Sequence, residues 1–147
     1  MSQLISARIP ESTAERLKRY AQRKKRSLNE IAGLVLEEWL RQDEFPHIEF
    51  RDTPDGTRLA CMKNSRLPVY RVVLISRERG FDVERVREFW PERSAEWVRA
   101  ALHYYEAFPA EIDAEIEAEA ARAQPDALKR KFPAIEFVTV EPKTSDA

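Results

Sequence analysis

The chain has 147 residues with 25 Lys and Arg against 26 Asp and Glu, so its formal net charge of −1 gives no sign of a polyanionic partner. Its single cysteine, Cys61, excludes an intrachain disulfide and a zinc site built from cysteines. The sequence has no apolar run of membrane-spanning length and no signal-peptide pattern, so we expect a reducing, cytoplasmic setting. Three glycines and 35% charged residues favour helix over sheet.

The charges are unevenly distributed along the chain. Residues 8–26 include eight basic and two acidic residues, whereas residues 110–147 include five basic and nine acidic ones. A basic front and an acidic rear indicate different partners at the two ends.

The first predicted element is a short strand within residues 4–10. Its alternation places two sets of side chains on opposite faces: Ile5, Ala7 and Ile9 on one, Leu4, Ser6 and Arg8 on the other. A single strand leaves its backbone groups unpaired and needs a partner strand. A second copy can supply it, giving an antiparallel ribbon narrow enough for a DNA major groove. The opening therefore predicts a homodimer that binds double-stranded DNA.

Two helices are predicted next, at residues 11–23 and 27–41. Ser27 begins the second helix with a capping box whose other member is Glu30. The second helix is apolar on more than one side, which so small a unit requires only if a second subunit packs against it.

From residue 45 the pattern changes to two strands joined by a turn at residues 53–56. Helices are then expected at residues 69–79, 81–90 and 94–108, with a possible continuation over 110–123 beyond a break or kink at Pro109. The helices on either side of residues 91–93 have the outline of a helix–turn–helix.

The tail from Gln124 has no helical period, but it contains an internal echo. Residues 132–137 nearly repeat residues 45–50. We interpret both as β-forming edge segments, paired with each other or docked in similar grooves; the alternative is chance similarity.

Residues 4–40 resemble a ribbon–helix–helix domain of the kind found in small bacterial repressors and antitoxins. The resemblance lies in the alternating strand, the Pro-Glu-Ser start of the first helix and the Ser-Leu-Asn-Glu start of the second. In that family the outward side chains of the paired strands contact base edges, which implies this role for Ser6 and Arg8. Leu4 occupies the third outward position, where that family more usually has a polar or basic residue. Lys25 stands where glycine is common, which implies a left-handed residue or a different turn.

Phosphate contacts are expected around the start of the second helix. Its N-terminus offers backbone N–H groups and a positive dipole end at Ser27, Leu28 and Asn29. The basic residues before it add attraction that is independent of sequence and sensitive to salt: Arg23, Lys24, Lys25 and Arg26. Arg8 is suited to a bidentate pair with guanine. The alternative is an edge strand beside a solvated run of charge.

Residues 45–116 resemble the small helical domain of unknown function that accompanies VapB-type antitoxins. The similarity lies in residues 56–58, 67–70, 81–84, 90–91 and 98–105. Such domains are encoded beside toxins of the PIN-ribonuclease class, which implies a PIN-type toxin as partner. We interpret the aromatic residues of this region as core or interface residues: Trp90, Trp97, Tyr104 and Tyr105. We interpret the helix–turn–helix as a dimerisation or toxin-docking unit rather than a DNA reader.

No pattern points to catalysis. His47 and His103 have no motif around them, and the sequence has no phosphate-binding glycine loop or nucleophile signature. The carboxylates at residues 111–119 are interpreted as a solvated helix face rather than a metal site. We therefore predict a protein that is not an enzyme and needs no metal or cofactor.

The predicted fold class is mainly α. It joins a ribbon–helix–helix unit in a swapped dimer (1–44) to a small α+β domain (45–123) with a β-hairpin and a three-helix unit, followed by a tail (124–147). The predicted function is that of an antitoxin and DNA-binding autorepressor that neutralises a PIN-type ribonuclease; the alternative is a free-standing dimeric transcriptional regulator. The candidate toxin contacts are in the tail: Lys129, Arg130, Lys131, Phe132, Ile135 and Phe137.

Overall fold

A computed structural model of the chain describes residues 1–134, 136 and 138. These residues form seven α-helices and one two-stranded antiparallel sheet, so the predicted mainly helical class is confirmed. None of the described helices has the length and apolar character needed to cross a membrane. The chain divides into two compact units, Met1–Arg66 and Leu67–Ala147.

The first unit contains two helices and a hairpin. Helix α1 spans Glu11–Lys24, α2 spans Leu28–Glu44, and strands β1 and β2 span Ile48–Asp52 and Arg58–Met62. In the hairpin register Ile48 pairs with Met62 and Asp52 with Arg58. Gly56 takes a φ of 84° in the predicted turn, a conformation that glycine adopts without a Cβ clash.

The hairpin belongs with α1 and α2, not with the later helices as the predicted boundary at residue 45 had it. Strand β1 packs against α2, and the core of this unit contains Ile31 of α2 together with Ile48 and Met62 of the hairpin, all at most 1% exposed. The two helices alone bury little apolar surface within one chain, because Ala21 and Ile31 are their only buried apolar residues. The boundary between units therefore follows residue 66.

The second unit contains five described helices. They are α3 at Val69–Glu78, α4 at Val83–Arg87, α5 at Ala95–Ala107, α6 at Pro109–Arg122 and α7 at Pro125–Lys131. Helix α3 packs against α4, α5 and α6. The core of the second unit contains fully buried side chains from α3, α4, α5 and α6: Val72, Val73, Val86, Val98, Ala101, Tyr104 and Ile112.

Local sequence signals determine where these helices begin. The Asp82 side chain accepts hydrogen bonds from the backbone N–H groups of Glu84 and Arg85, and Ser94 Oγ accepts one from Trp97 at 3.1 Å. Pro109 occupies the first turn of α6, where its missing N–H costs nothing, so it begins a new helix.

Two predicted extended segments differ in the structure. Residues 1–10 form neither helix nor strand in the single chain, which supplies no second strand for them. In the tail, Lys129, Arg130 and Lys131 form the last turn of α7, a helix that was not predicted, and residues 132–134 of the predicted extended segment form no strand. Pro125 begins that helix and three basic residues suit its C-terminal dipole. Residues 135 and 137 lie outside the described residues.

Candidate nucleic-acid interface

The turn between α1 and α2 is closed by a left-handed residue, as the glycine-like position predicts. Lys25 has φ 53° and ψ 41°. Its backbone N–H donates to the Gln22 carbonyl, and that of Arg26 donates to the Ala21 carbonyl, both at 3.1 Å. This pair of bonds is the Schellman arrangement, which ends one helix sharply. Only three residues separate the end of α1 at Lys24 from the start of α2 at Leu28.

The N-terminus of α2 is solvent-exposed and partly unsatisfied. The predicted cap is confirmed, because Ser27 Oγ accepts a hydrogen bond from the Glu30 backbone N–H at 3.2 Å. Helix geometry leaves the N–H groups of Leu28 and Asn29 without an intrahelical partner, and both residues are exposed. With the positive end of the helix dipole, these groups form a place where a phosphate oxygen can bind.

The basic residues before α2 are not equivalent. Lys25 and Arg26 are exposed, so their side chains can extend toward an anion. Lys24, by contrast, is half-buried and its Nζ forms an ion pair with Asp52 Oδ2 of the hairpin. Of these three predicted DNA-binding cations, Lys24 is therefore engaged by the hairpin, whereas Lys25 and Arg26 extend into solvent.

An apolar groove of about 860 Å³ lies between residues 5–9 and the two helices. Most of the lining is apolar: Ile5, Ala7 and Ile9, together with Leu17, Tyr20, Ala32, Val35 and Leu36. Thr13 and three arginines of α1, Arg16, Arg19 and Arg23, line it as well. Leu4, Ser6 and Arg8 are exposed and do not line it. The two sets of alternating residues are thus separated as the period of two predicts. The groove is open in the single chain, since Ile5 is 79% and Leu36 62% exposed.

Four charged side chains of alternating sign link the hairpin to both helices. Arg58 of β2 makes a bidentate pair with Glu38 of α2, with Nε–Oε1 at 2.7 Å and Nη2–Oε2 at 2.8 Å. Arg58 also lies 3.4 Å from Asp52, its cross-strand partner, which in turn binds Lys24. This network was not predicted from the sequence. Its only local signal is Glu38, a carboxylate seven residues after Ile31 and therefore on the apolar stripe of α2.

The network perturbs the ionisation of two of its members. The hydrogen bond from Lys24, with the nearby charge of Arg58, lowers the pKa of the Asp52 carboxyl despite partial burial. The hydrogen bonds to Glu38 raise the pKa of the Arg58 guanidinium further above its already high value. Asp52 and Arg58 are therefore held in their charged forms at neutral pH.

In the second unit the acidic face of α6 is paired with α3 rather than simply solvated. Arg71 contacts Glu119 at 3.0 Å, and Arg77 forms an ion pair with Asp113. The Tyr105 hydroxyl hydrogen-bonds to both Arg77 and Asp113, and these contacts raise the pKa of Arg77. The α6 carboxylates therefore stabilise the packing of this unit.

The aromatic residues of the second unit occupy core and edge positions. Tyr104 is fully buried and Trp97 is 8% exposed. Trp90 packs edge-on against Trp97, with ring centroids 5.6 Å apart. The His103 side chain is exposed on α5. Trp97 and Tyr104 are therefore too buried to stack on a nucleotide base.

The candidate toxin contacts that the structure describes lie at the end of α7. Lys129, Arg130 and Lys131 are exposed, and Phe132 beyond them is 47% exposed. Lys131 Nζ lies 5.7 Å from the centroid of the Phe132 ring. Ile135 and Phe137 lie outside the described residues, so the structure groups only four of the six.

Comparisons with known proteins give little beyond this geometry. No protein-family model matches the chain, and the curated proteins contain no significant match. A solved structure of a DUF433 member protein from Anabaena variabilis is 30% identical, over 60% of this chain and 83% of that one, with a TM-score of 0.38. A similarity at this TM-score establishes neither a shared fold nor a shared function.

Proposed function

We propose that this chain is a homodimeric DNA-binding autorepressor of the ribbon–helix–helix kind and the antitoxin of a PIN-type ribonuclease. The observation that carries the DNA-binding part is the separation of side chains in residues 4–9. Apolar residues of this segment line the groove on α1 and α2, and Ser6 and Arg8 do not.

The open groove supports a dimer. Contiguous exposed apolar surface marks an interaction site in a water-exposed protein, and here it includes Ile5 at 79% and Leu36 at 62% exposure. A second copy covers such surface and also provides the antiparallel strand that residues 4–9 lack. One partner thus satisfies both the apolar side chains and the unpaired backbone.

The charge distribution supports DNA as the ligand of that dimer. The exposed side chains of Arg8, Lys25 and Arg26 and the free N–H groups at the start of α2 all belong to the first unit. Arg8 and Ser6 on a ribbon in the major groove meet base edges, whereas a helix N-terminus beside basic side chains meets phosphates.

The decisive variant is Arg8→Ala. Its affinity should be measured against a duplex from the region upstream of the protein's own coding sequence and against a mixed-sequence duplex. Losing a bidentate contact to guanine costs about 1–3 kcal/mol of discrimination, so the preference for the first duplex should fall roughly 5- to 150-fold.

Arg26→Ala serves as the matched control, because it also removes one exposed arginine of the same unit. It should weaken binding to both duplexes equally and reduce the salt dependence. If Arg8→Ala leaves the preference unchanged, residues 4–9 do not read bases and the proposal fails.

The antitoxin part of the proposal rests on the sequence resemblance of residues 45–116 and on the end of α7. There, three exposed basic residues precede the exposed ring of Phe132. A nuclease centre that holds metal ions with carboxylates is acidic, so a basic and apolar segment complements it in charge and in apolar surface.

The toxin partner can be tested by co-expression with a PIN-type protein encoded next to this chain. The full chain should recover that protein, and the triple variant Lys129→Ala, Arg130→Ala, Lys131→Ala should recover much less. Equal recovery after deletion of residues 124–147 would remove the tail from the proposal. No recovery by the full chain, with operator binding intact, would leave a free-standing regulator.

A further inference from the structure

The hairpin turn lies beside the helix turn that carries the candidate phosphate contacts. Residues of both line one crevice of about 470 Å³, among them Lys24 and Arg26 from the helix turn and Asp52, Asp55 and Gly56 from the hairpin. Asp55 accepts hydrogen bonds from Thr53 Oγ1 and from the Thr57 N–H within the hairpin turn, whereas Asp52 pairs with Lys24 of the helix turn.

Asp52 is placed to act on one cation of that turn. Its Oδ2 accepts the Lys24 ammonium, and its Oδ1 lies 3.4 Å from Arg58 Nη1. Arg58 is in turn fixed by its two hydrogen bonds to Glu38, a residue only 7% exposed. Asp52 is therefore held from the hairpin side by a well-packed arginine, and Lys24 is the group it restrains.

We propose that Asp52 withholds Lys24 from the DNA backbone and so lowers the share of the DNA affinity that is independent of sequence. This inference rests on the proposed function. Each cation that neutralises a phosphate adds to binding on every sequence, and it raises non-specific as much as specific affinity. With Lys24 engaged by Asp52, the contacts of Ser6 and Arg8 to bases make up a larger part of the total free energy of DNA binding.

The pair remains formed under the conditions of DNA binding. The Lys24 hydrogen bond lowers the pKa of Asp52 below its ordinary value of 3.8, so this carboxylate is charged throughout the neutral range. The groups that face it are the basic side chains of Lys24 and Arg58. A phosphate must therefore compete with an existing carboxylate for Lys24, whereas neither Lys25 nor Arg26 forms an ion pair within the part of the chain that the structure describes.

The test is a double-mutant cycle of the wild type, Asp52→Asn, Lys24→Met and the double variant. Each full-length protein is titrated onto a mixed-sequence duplex of about 30 base pairs at several salt concentrations, long enough for non-specific binding. Asp52→Asn keeps the side-chain shape and a hydrogen-bond acceptor, and the Arg58–Glu38 pair continues to hold the hairpin. Thermal melts of the four proteins verify that each is folded.

We expect Asp52→Asn to bind the duplex roughly five- to tenfold more tightly per subunit near 0.1 M salt. The slope of log K against log salt should steepen by about 0.9 per subunit, since one more phosphate is neutralised. Lys24→Met alone should stay within about twofold of the wild type, because that cation is already occupied. The double variant should match Lys24→Met.

Three results would overturn the inference. Weaker binding by Asp52→Asn at every salt concentration with an unchanged slope would show that the pair only stabilises the turn. Equal tightening in the double variant would show an effect of net charge that does not pass through Lys24. If the wild type binds DNA but Asp52→Asn binds with the same affinity and slope, this inference fails and the proposed function stands. If the wild type binds no duplex at all, the proposed function itself fails.

Discussion

Lys25 pays a conformational cost at the turn between α1 and α2. Its φ of 53° places an L-residue in the left-handed region, where the Cβ approaches the backbone and costs about 1–2 kcal/mol. Glycine has no such clash, although it loses more entropy on folding. We expect Lys25→Gly to raise the free energy of unfolding by about 0.5–1 kcal/mol, measured by denaturant titration.

The neighbouring substitution Arg26→Gly provides the control. Arg26 is not among the described residues with positive φ, so glycine brings only the entropic cost there and should lower stability. Both variants remove one exposed cation and should weaken DNA binding to a similar degree. A fall in stability for Lys25→Gly would mean that the left-handed turn is not strained.

Single residues could be predicted where their role is local. Ser27 acts through a backbone group three positions away, so helix-capping rules identified it. For Lys25 the resemblance to ribbon–helix–helix domains predicted either a left-handed residue or a different turn, and the structure shows the first of these. Asp52 could not be found in this way, because its partner Lys24 lies 28 residues earlier and only the packed hairpin brings them together. The pairing of Lys24 therefore required the tertiary structure.

At the scale of elements, the hairpin and the first six helices were predicted because each has its own start and stop signals. Asp82, Ser94 and Pro109 begin three of the helices, and Gly56 allows the hairpin turn. Helix α7 was missed, since seven residues give little periodicity.

The assignment of elements to units was harder, because it depends on burial between distant segments. Nothing in residues 48–62 indicates whether the hairpin packs on the preceding or the following helices. The structure decides it through Ile48 and Met62, which join Ile31 in one core, and through the Arg58–Glu38 pair. Apolar pattern gives the face of an element that is buried, but not the element against which it packs.

For the whole molecule, the open groove is the surface that a second copy would cover in the proposed dimer. The first unit leaves large apolar side chains exposed along α2, among them Leu36 at 62% and Trp39 at 63%. Exposed apolar surface of this kind is stabilised by association, so we expect stability and self-association to be linked. The unfolding midpoint of the wild type should then rise with protein concentration.

The alternation of residues 4–9 gives a matched pair of variants for this dimer. Ile5 lines the groove and Leu4 does not, although both are exposed in the single chain, at 79% and 94%. In the proposed dimer Ile5→Glu puts a carboxylate where an apolar side chain packs. Even when it pairs with an arginine of the lining (Arg16, Arg19 or Arg23), a buried ion pair is less stable than apolar packing by about 1–4 kcal/mol at each of two sites. Leu4→Glu instead places its charge on the outer face of the ribbon.

Light scattering should therefore give about the mass of one 17.2 kDa chain for Ile5→Glu and about twice that for Leu4→Glu. Leu4→Glu should nevertheless bind DNA more weakly, because its carboxylates face the phosphates. If both variants remain dimeric, the groove is not the dimer interface and residues 4–9 do not form the ribbon.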